Sequence, residues 1–169
     1  NKNKYIKKRS NSLSQININN DDINNVKYRI SDKPIGKGSF SMVYLGFDIN
    51  NNKYAIKCIE IEKLNDKQIE RINLEMKISM RLEHPNIVKC YDNFRTHKHW
   101  YLVSEYCDGG ILQNINTMLK KKNNSQREYL TKIYMTQLKD ALQYLRSNNI
   151  IHRDLKPQNI LFLKKCNDP

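Results

Sequence analysis

The chain has 169 residues, of which 38% are hydrophobic and 28% charged, and its 30 Lys and Arg residues against 17 Asp and Glu residues give a net charge of +13. This length suits one domain with a core of its own. The apolar runs are only a few residues long, and no apolar stretch follows the basic residues 1–10. The sequence therefore predicts neither a transmembrane segment nor a secretory signal.

The cysteines and histidines are scattered. Cys58, Cys90 and Cys107 lie inside apolar runs, Cys166 lies near the end, and neither residue type shows the spacing of metal ligands. This pattern predicts reduced thiols in a cytoplasmic protein, with no disulfide framework and no zinc site.

The positive charge is spread over residues 2–9, 120–122 and 164–165, with no aromatic residues interleaved to form a nucleic-acid groove. A solvated basic surface is therefore the preferred interpretation, and no nucleic-acid partner is expected. A basic nucleic-acid-binding protein stays open as an alternative because of the charge alone.

Residues 1–27 are rich in Asn, Lys and Ser, which predicts a disordered tail. From Tyr28 the composition becomes β-prone. Three short strands joined by tight turns are predicted, around Ile30 and Ile35 and then over residues 40–45 and 54–61, with a turn at residues 50–52.

A helix follows, because Ile69, Ile72, Met76 and Met80 recur at helical spacing; Asn65 or Asp66 is the predicted cap, and Pro85 the predicted stop. Two further strands are predicted over residues 87–94 and 100–105. After the break at Gly109 and Gly110, a capping box of Ser125 and Glu128 predicts the start of a second long helix, which continues to about Ser147. Short connections between the strands predict an α+β fold with mostly antiparallel pairing.

The glycine-rich turn between the first two strands runs over residues 36–41. Glycines at such a turn allow backbone N–H groups to approach phosphate oxygens. Alone, the pattern is more typical of a plain hairpin, and a dinucleotide-binding fold is not favoured because a strand follows the glycines.

The next strand carries Lys57 among apolar residues. An isolated strand lysine usually reaches solvent with its ammonium group. Glu75, in the middle of the predicted helix, is a candidate anionic partner that would hold this lysine beside nucleotide phosphates.

Residues 152–159 read His-Arg-Asp-Leu-Lys-Pro-Gln-Asn, the complete pattern of a kinase catalytic loop, and the glycine-rich turn and the Ala-Ile-Lys strand precede it in the right order. From Tyr28 onwards the chain resembles the protein kinase superfamily. Lys156, two residues after Asp154, resembles the serine/threonine class. The glycine-rich turn, residues 102–110 and the Lys-Pro-Gln-Asn segment are most similar to the autophagy-initiating kinases, and cyclin-dependent and calcium-dependent kinases share parts of this pattern.

The resemblance implies a bilobal kinase-like fold, with a five-stranded amino-terminal lobe and one helix over residues 28–106 and the beginning of a helical lobe over residues 107–169. It implies a protein kinase that transfers the γ-phosphate of ATP to Ser or Thr hydroxyls of protein substrates, with ATP and Mg²⁺ as cofactors. Asp154 would accept the hydroxyl proton, Lys156 would steady the γ-phosphate, Lys57 held by Glu75 would bind the α- and β-phosphates, and Asn159 would hold Mg²⁺. The residues implied in ATP binding are Ile35, Gly36, Lys37, Gly38, Ser39, Phe40, Ser41, Val43, Ala55, Lys57, Ser104, Glu105, Cys107 and Leu161.

The chain departs from the family pattern in several places. Ser41 replaces the third glycine, Ile111 stands where many relatives carry an acidic residue near the ribose, and Ser79 and Ser104 are smaller than usual. No Asp-Phe-Gly or activation segment is present, so we expect a fragment that is inactive by itself. A pseudokinase or nucleotide-binding scaffold without turnover is the alternative to an active kinase.

Overall fold

The order of elements along the chain agrees with the prediction of three strands, a helix, two strands and a helix. The computed structural model describes residues 27–38, 40–114 and 119–163. Its main elements are β1 (Arg29–Lys37), β2 (Ser41–Phe47), β3 (Lys53–Glu60), α1 (Asp66–Ser79), β4 (Cys90–Arg95), β5 (His99–Glu105) and α2 (Asn124–Ser147). Two single 3₁₀ turns, Leu112–Asn114 and Pro157–Asn159, lie before and after α2.

The five strands form one sheet in the order β1-β2-β3-β5-β4, and every neighbouring pair is antiparallel. The turn between β2 and β3 is held by Asp48, whose carboxylate accepts hydrogen bonds from the backbone N–H groups of Asn50 and Asn52. Asn51 supplies the left-handed conformation that this turn needs, with φ of 63°. The expected turn at residues 50–52 is therefore confirmed, and the antiparallel prediction with it.

One face of the sheet carries an apolar cluster of Tyr28, Ile30, Ile56, Tyr101 and Val103. Ile30, Ile56 and Val103 are completely buried. Opposite residues of antiparallel strands lie on the same face, and the register places Ile56 of β3 opposite Val103 of β5. Aromatic packing extends the cluster, since the ring of Phe94 lies 5.0 Å from that of Tyr101.

Helix α1 packs against the other face, where Met76 joins Ile59, Ile61 and Trp100 in a second buried cluster. Asn65 caps the helix, and its side chain forms a reciprocal capping box with Gln68. The expected cap is confirmed at Asn65. The helix ends at Ser79, however, six residues before the expected stop at Pro85.

Helix α2 begins at Asn124, and its cap lies two residues before the predicted cap. Asn123 is the cap and pairs with Gln126, so the prediction of Ser125 and Glu128 as the box was wrong. Both pairs have the same three-residue spacing, and Asn caps helices as well as Ser does, so the spacing alone did not decide between them. None of the helices in the described residues is long and apolar enough to cross a membrane.

The loop between α1 and β4 contacts α2 directly. The hydroxyl of Tyr144 accepts a hydrogen bond from the backbone N–H of Glu83 over 3.1 Å, and the Tyr144 ring lies 5.0 Å from the ring of His84. This contact joins the sheet half of the chain to the helical half.

The predicted disordered tail lies outside the described residues except for Lys27, whose ammonium group is 2.6 Å from a carboxylate oxygen of Asp92. Tyr28 is already part of the core, at 6% exposure. The division between lobes at residues 106 and 107 stays a prediction.

Gly46 tests the packing of the buried face. A Cβ atom at this position would lie 2.3 Å from Cδ1 of the fully buried Ile56. Gly46→Ala should therefore lower the free energy of unfolding by about 1–3 kcal/mol through overpacking, measured by urea denaturation. Gly36→Ala is the matched control, because its Cβ would meet Val43 at an ordinary 3.5 Å. Equal losses in the two variants would contradict this packing.

Candidate active site

Residues 152–159 form an exposed loop that folds back on Asp154. The backbone N–H of Asp154 donates to the carbonyl oxygen of His152 at 2.9 Å and lies 3.3 Å from its Nδ1. Arg153 adopts a left-handed backbone with φ of 64°, which a non-glycine residue rarely does. The loop ends in the 3₁₀ turn Pro157–Asn159, for which the proline at its first position is well suited.

The carboxylate of Asp154 is held from two sides. Nζ of Lys156 lies 2.8 Å from Oδ2, and Nδ2 of Asn159 donates to the same oxygen at 2.9 Å. Nδ2 of Asn159 also donates to the backbone carbonyl of Asp154 at 2.8 Å. The structure thus brings together three of the residues that the sequence predicts at one centre.

These bonds change the acidity of the group. The hydrogen bond from Lys156 lowers the pKa of Asp154 below its ordinary value, and the bond from Asn159 adds to this effect. The carboxylate consequently stays ionised to a lower pH than a free aspartate would. An ionised carboxylate acts only as a hydrogen-bond acceptor, and this is the state that can accept a hydrogen bond from a hydroxyl group.

A short backbone ribbon ties this loop to the segment after β5. We use "ribbon" for residues 109–112 paired with residues 160–162. Gly109 N–H donates to the Phe162 carbonyl at 2.8 Å, Phe162 N–H donates to the Gly110 carbonyl at 2.9 Å, and Leu112 N–H donates to the Ile160 carbonyl at 2.8 Å. Ile111 and Leu161 form the bridge between these bonds. Asn159 therefore directly precedes the ribbon, which contains Leu161.

Lys57 lies on the same face of the sheet as several residues predicted to bind ATP. In the register, Val43 is opposite Lys57 on one side of β3, and Ala55 is opposite Ser104 on the other. The side chain of Ser104 donates to the Ala55 carbonyl at 3.2 Å. We call this surface the cleft face and define it by Val43, Ala55, Lys57 and Ser104.

The glycine-rich turn lies at the end of the same sheet. Gly36 is opposite Val43, and the backbone N–H of Gly38 donates to the Ser41 carbonyl at 2.8 Å. This amide of Gly38 is therefore used inside the turn in the present structure. Ile35 and Phe40 are 50% and 54% exposed, and Ser39 lies outside the described residues.

Glu75 has a different partner from the one predicted. Its Oε1 lies 3.3 Å from Nε of Arg71, one helical turn earlier, and both side chains are more than half exposed. The described residues show no ion pair between Glu75 and Lys57, so that pairing stays a prediction. The spacing of four residues between Arg71 and Glu75 could have indicated the observed pair from the sequence, although Arg ahead of Glu is its less favourable order.

The predicted adenine-binding segment, residues 105–107, begins with the last residue of β5, and we call it the hinge segment. The N–H of Glu105 donates to the carbonyl of Lys89, the residue before β4, at 2.9 Å. Burial, with smaller effects from Glu105 and Asp108, raises the pKa of the Cys107 thiol. Cys107 is therefore a neutral, half-buried thiol at neutral pH, which suits a residue that contributes its backbone to a site.

The family model described as "Protein kinase domain" matches residues 29–167. The chain belongs to the protein kinase family. Among curated kinase relatives, it is similar to the R517/R518 protein of Acanthamoeba polyphaga mimivirus, with 41% identity over 153 residues that cover 87% of this chain and 34% of that protein. It is also similar to the serine/threonine-protein kinase atg1 of Dictyostelium discoideum, with 39% identity over 147 residues that cover 83% of this chain and 21% of that kinase.

A solved kinase structure supports the fold. The crystal structure of Rad53 1–466 in complex with AMP-PNP matches with a TM-score of 0.67 and 26% identity, and the match covers 82% of this chain and 35% of that one. The chain thus spans about a third or less of the proteins it matches. The predicted family and its kinase-like fold are confirmed, and kinases of the autophagy-initiating group are among the relatives, as predicted.

Lys156→Met tests the electrostatics of the loop over residues 152–159. It removes the largest cause of the low pKa of Asp154, so the pKa should rise towards its ordinary value. The measurement is a ¹³C NMR titration of the Asp154 carboxyl group, with Lys132→Met on α2 as the control. An unchanged pKa in Lys156→Met would show that this lysine does not bond Asp154 in solution.

Proposed function

We propose that this chain is the ATP-binding and catalytic-loop part of a serine/threonine protein kinase, which transfers the γ-phosphate of ATP to Ser or Thr hydroxyls of proteins. The observation that carries the proposal is the position of Asp154 between Nζ of Lys156 and Nδ2 of Asn159. Phosphoryl transfer to a hydroxyl requires that the hydroxyl be positioned. A carboxylate fixed beside a lysine and an amide can do this.

The residues present fit a magnesium nucleotide. Nδ2 of Asn159 is engaged with Asp154, so the remaining polar atom of that side chain is its carbonyl oxygen, and hard cations such as Mg²⁺ prefer oxygen ligands. Lys57 is exposed on the cleft face and carries the charge that phosphates need. The exposed apolar side chains of Ile35 and Leu161 provide surfaces for an adenine ring.

Bound ATP would supply the phosphoryl group, and Mg²⁺ would neutralise its charge. The chain's own residues would do the positioning. Asp154 would accept a hydrogen bond from the substrate hydroxyl and take its proton as the hydroxyl oxygen bonds to the γ-phosphorus. The bond from the γ-phosphorus to the β,γ-bridging oxygen would break at the same time, with ADP as the leaving group, and Lys156 would stabilise charge on the transferred group. Because its pKa is low, Asp154 is a weak base, so orienting the hydroxyl is its larger contribution.

The assignment to Ser and Thr substrates is supported by Lys156, two residues after Asp154, and by relatives that are named serine/threonine-protein kinases. Protein substrates and ATP are thus the proposed partners. A cytoplasmic location is proposed from the thiols of Cys58, Cys90 and Cys107, which are free in the structure.

Lys57→Met tests the proposed phosphate contact. In the complete protein, this change should lower phosphotransfer from radiolabelled ATP to a generic basic protein by at least about a hundredfold, because one of the charges that stabilise the phosphates is lost. Lys53→Met is the matched control on the same strand and should keep activity. Near-normal activity of Lys57→Met would refute the role of Lys57.

Two other outcomes would favour the alternative functions. No activity in the unchanged protein, with ATP still bound, would favour a scaffold, and ATP-insensitive binding of RNA would favour a nucleic-acid-binding protein.

Ser104→Met tests the surface next to the proposed adenine site. Ser104 is the last residue before the hinge segment, and its small side chain bonds back to β3. We expect the complete protein to be sensitive to ATP-competitive inhibitors with bulky substituents. A methionine should weaken these inhibitors by about 1–3 kcal/mol through steric overlap. Binding of the compact analogue AMP-PNP is the control and should be unchanged. Equal inhibition of both forms would show that Ser104 does not face the site.

A further inference from the structure

Gly110 has an unusual backbone conformation next to the proposed site. Its φ is +88°, and among the glycines in the described residues it is the one with a positive φ. A Cβ atom built on Gly110 would meet no heavy atom within 4 Å. The conformation itself, and not crowding, is therefore what calls for glycine at this position.

Gly110 lies where the chain passes from the hinge segment into the ribbon. It follows the hinge segment, with Asp108 and Gly109 between, and it begins the part of the chain that pairs with residues 160–162. Its carbonyl accepts the hydrogen bond from Phe162 N–H, while the preceding N–H of Gly109 donates to the Phe162 carbonyl. The backbone turn at Gly110 therefore sets how the chain passes from the hinge segment into the ribbon.

The ribbon connects the two ends of the proposed nucleotide site. The hinge segment, which the family resemblance assigns to adenine, precedes one strand of the ribbon. Asn159, the proposed Mg²⁺ ligand, precedes the other, and Leu161 lies within it. The four hydrogen-bonding groups at Gly109, Gly110 and Phe162 thus join the segments that are proposed to hold adenine and metal.

We propose that Gly110 is a positioning residue for the kinase reaction, because its left-handed backbone fixes the ribbon and with it the placement of Asn159 and Leu161 relative to the hinge segment. This inference rests on the proposed function. A residue that disfavours φ near +88° turns the chain at the ribbon and displaces Asn159 from its place relative to adenine, without removing any group that touches the nucleotide. The core clusters contain no residue of the ribbon, so the fold of the sheet does not depend on Gly110.

The test compares Gly110→Ala, Gly110→Asn and Gly109→Ala in the complete protein. Asparagine tolerates positive φ better than alanine does, so it separates backbone conformation from side-chain size. Gly109 is the adjacent glycine and lacks a positive φ. Calorimetry with two probes, Mg²⁺·AMP-PNP and adenosine, is carried out well below the melting temperature of every variant, which is measured separately.

Gly110→Ala should weaken binding of Mg²⁺·AMP-PNP by about tenfold, the effect of a strained backbone residue. The affinity for adenosine should fall less, because adenosine has no phosphates and does not extend to Asn159. Gly110→Asn should recover most of the loss, and Gly109→Ala should bind both probes as the unchanged protein does. If Gly110→Ala binds Mg²⁺·AMP-PNP normally, or if Gly110→Asn is as weak as Gly110→Ala, the proposal is wrong while the kinase function stands. Failure of the unchanged protein to bind either probe would overturn both.

Discussion

Strand β3 is paired on both sides, with β2 and with β5, and the alternation of its side chains constrains the rest of the molecule. Ile56 is completely buried on one face, while its neighbour Lys57 is exposed on the other. A shift of the pairing by one residue would exchange these faces, placing a charge in the core and an isoleucine on the cleft face. Burial of Ile56 therefore fixes the side of the sheet on which Lys57 can act.

The site is built from two kinds of interaction, backbone hydrogen bonds and contacts between charged or polar side chains. Backbone pairing in the sheet and in the ribbon sets where the segments lie, and charged side chains then complete the site locally. Lys156 and Asn159 reach Asp154 within one loop, so their contacts need no movement of distant elements. The pair of Arg71 and Glu75 lies on the exposed surface of α1, where ion pairs contribute little. Glu75 can therefore exchange Arg71 for another partner at small energetic cost.

Much of the fold could be predicted from local patterns. Runs of β-prone residues between turns indicated the strands. The spacing of Ile69, Ile72 and Met76 indicated α1, because burial on one face imposes the helical period. Ends of elements were harder. Helix α2 has its cap at Asn123 and not at Ser125, since two capping patterns of equal spacing compete there. Helix α1 ends at Ser79 although no proline follows until Pro85.

The proposed catalytic loop could be located from its motif, but two features of the proposed site could not. The ribbon joins segments about fifty residues apart in sequence through backbone groups, which every residue carries, so no residue type announces it. The left-handed backbone of Arg153 is likewise imposed by the folded loop, because arginine has no preference for it. The pairing of Glu75 with Lys57 was predicted because a lysine among apolar strand residues needs an anionic partner, and the family pattern agrees with it. In the described residues Glu75 pairs instead with Arg71.

Phosphotransfer by an Asp154→Asn variant of the complete protein is the most direct test of the proposed active site. Radiolabelled ATP and a generic basic protein are the substrates, and phosphoamino acid analysis identifies the residue modified. The unchanged protein should label serine or threonine, and Asp154→Asn should be slower by at least about a hundredfold while it still binds Mg²⁺·AMP-PNP. The control is Asp140→Asn on α2, which should keep full activity. Near-normal transfer by Asp154→Asn would contradict the assignment of Asp154 as the catalytic residue.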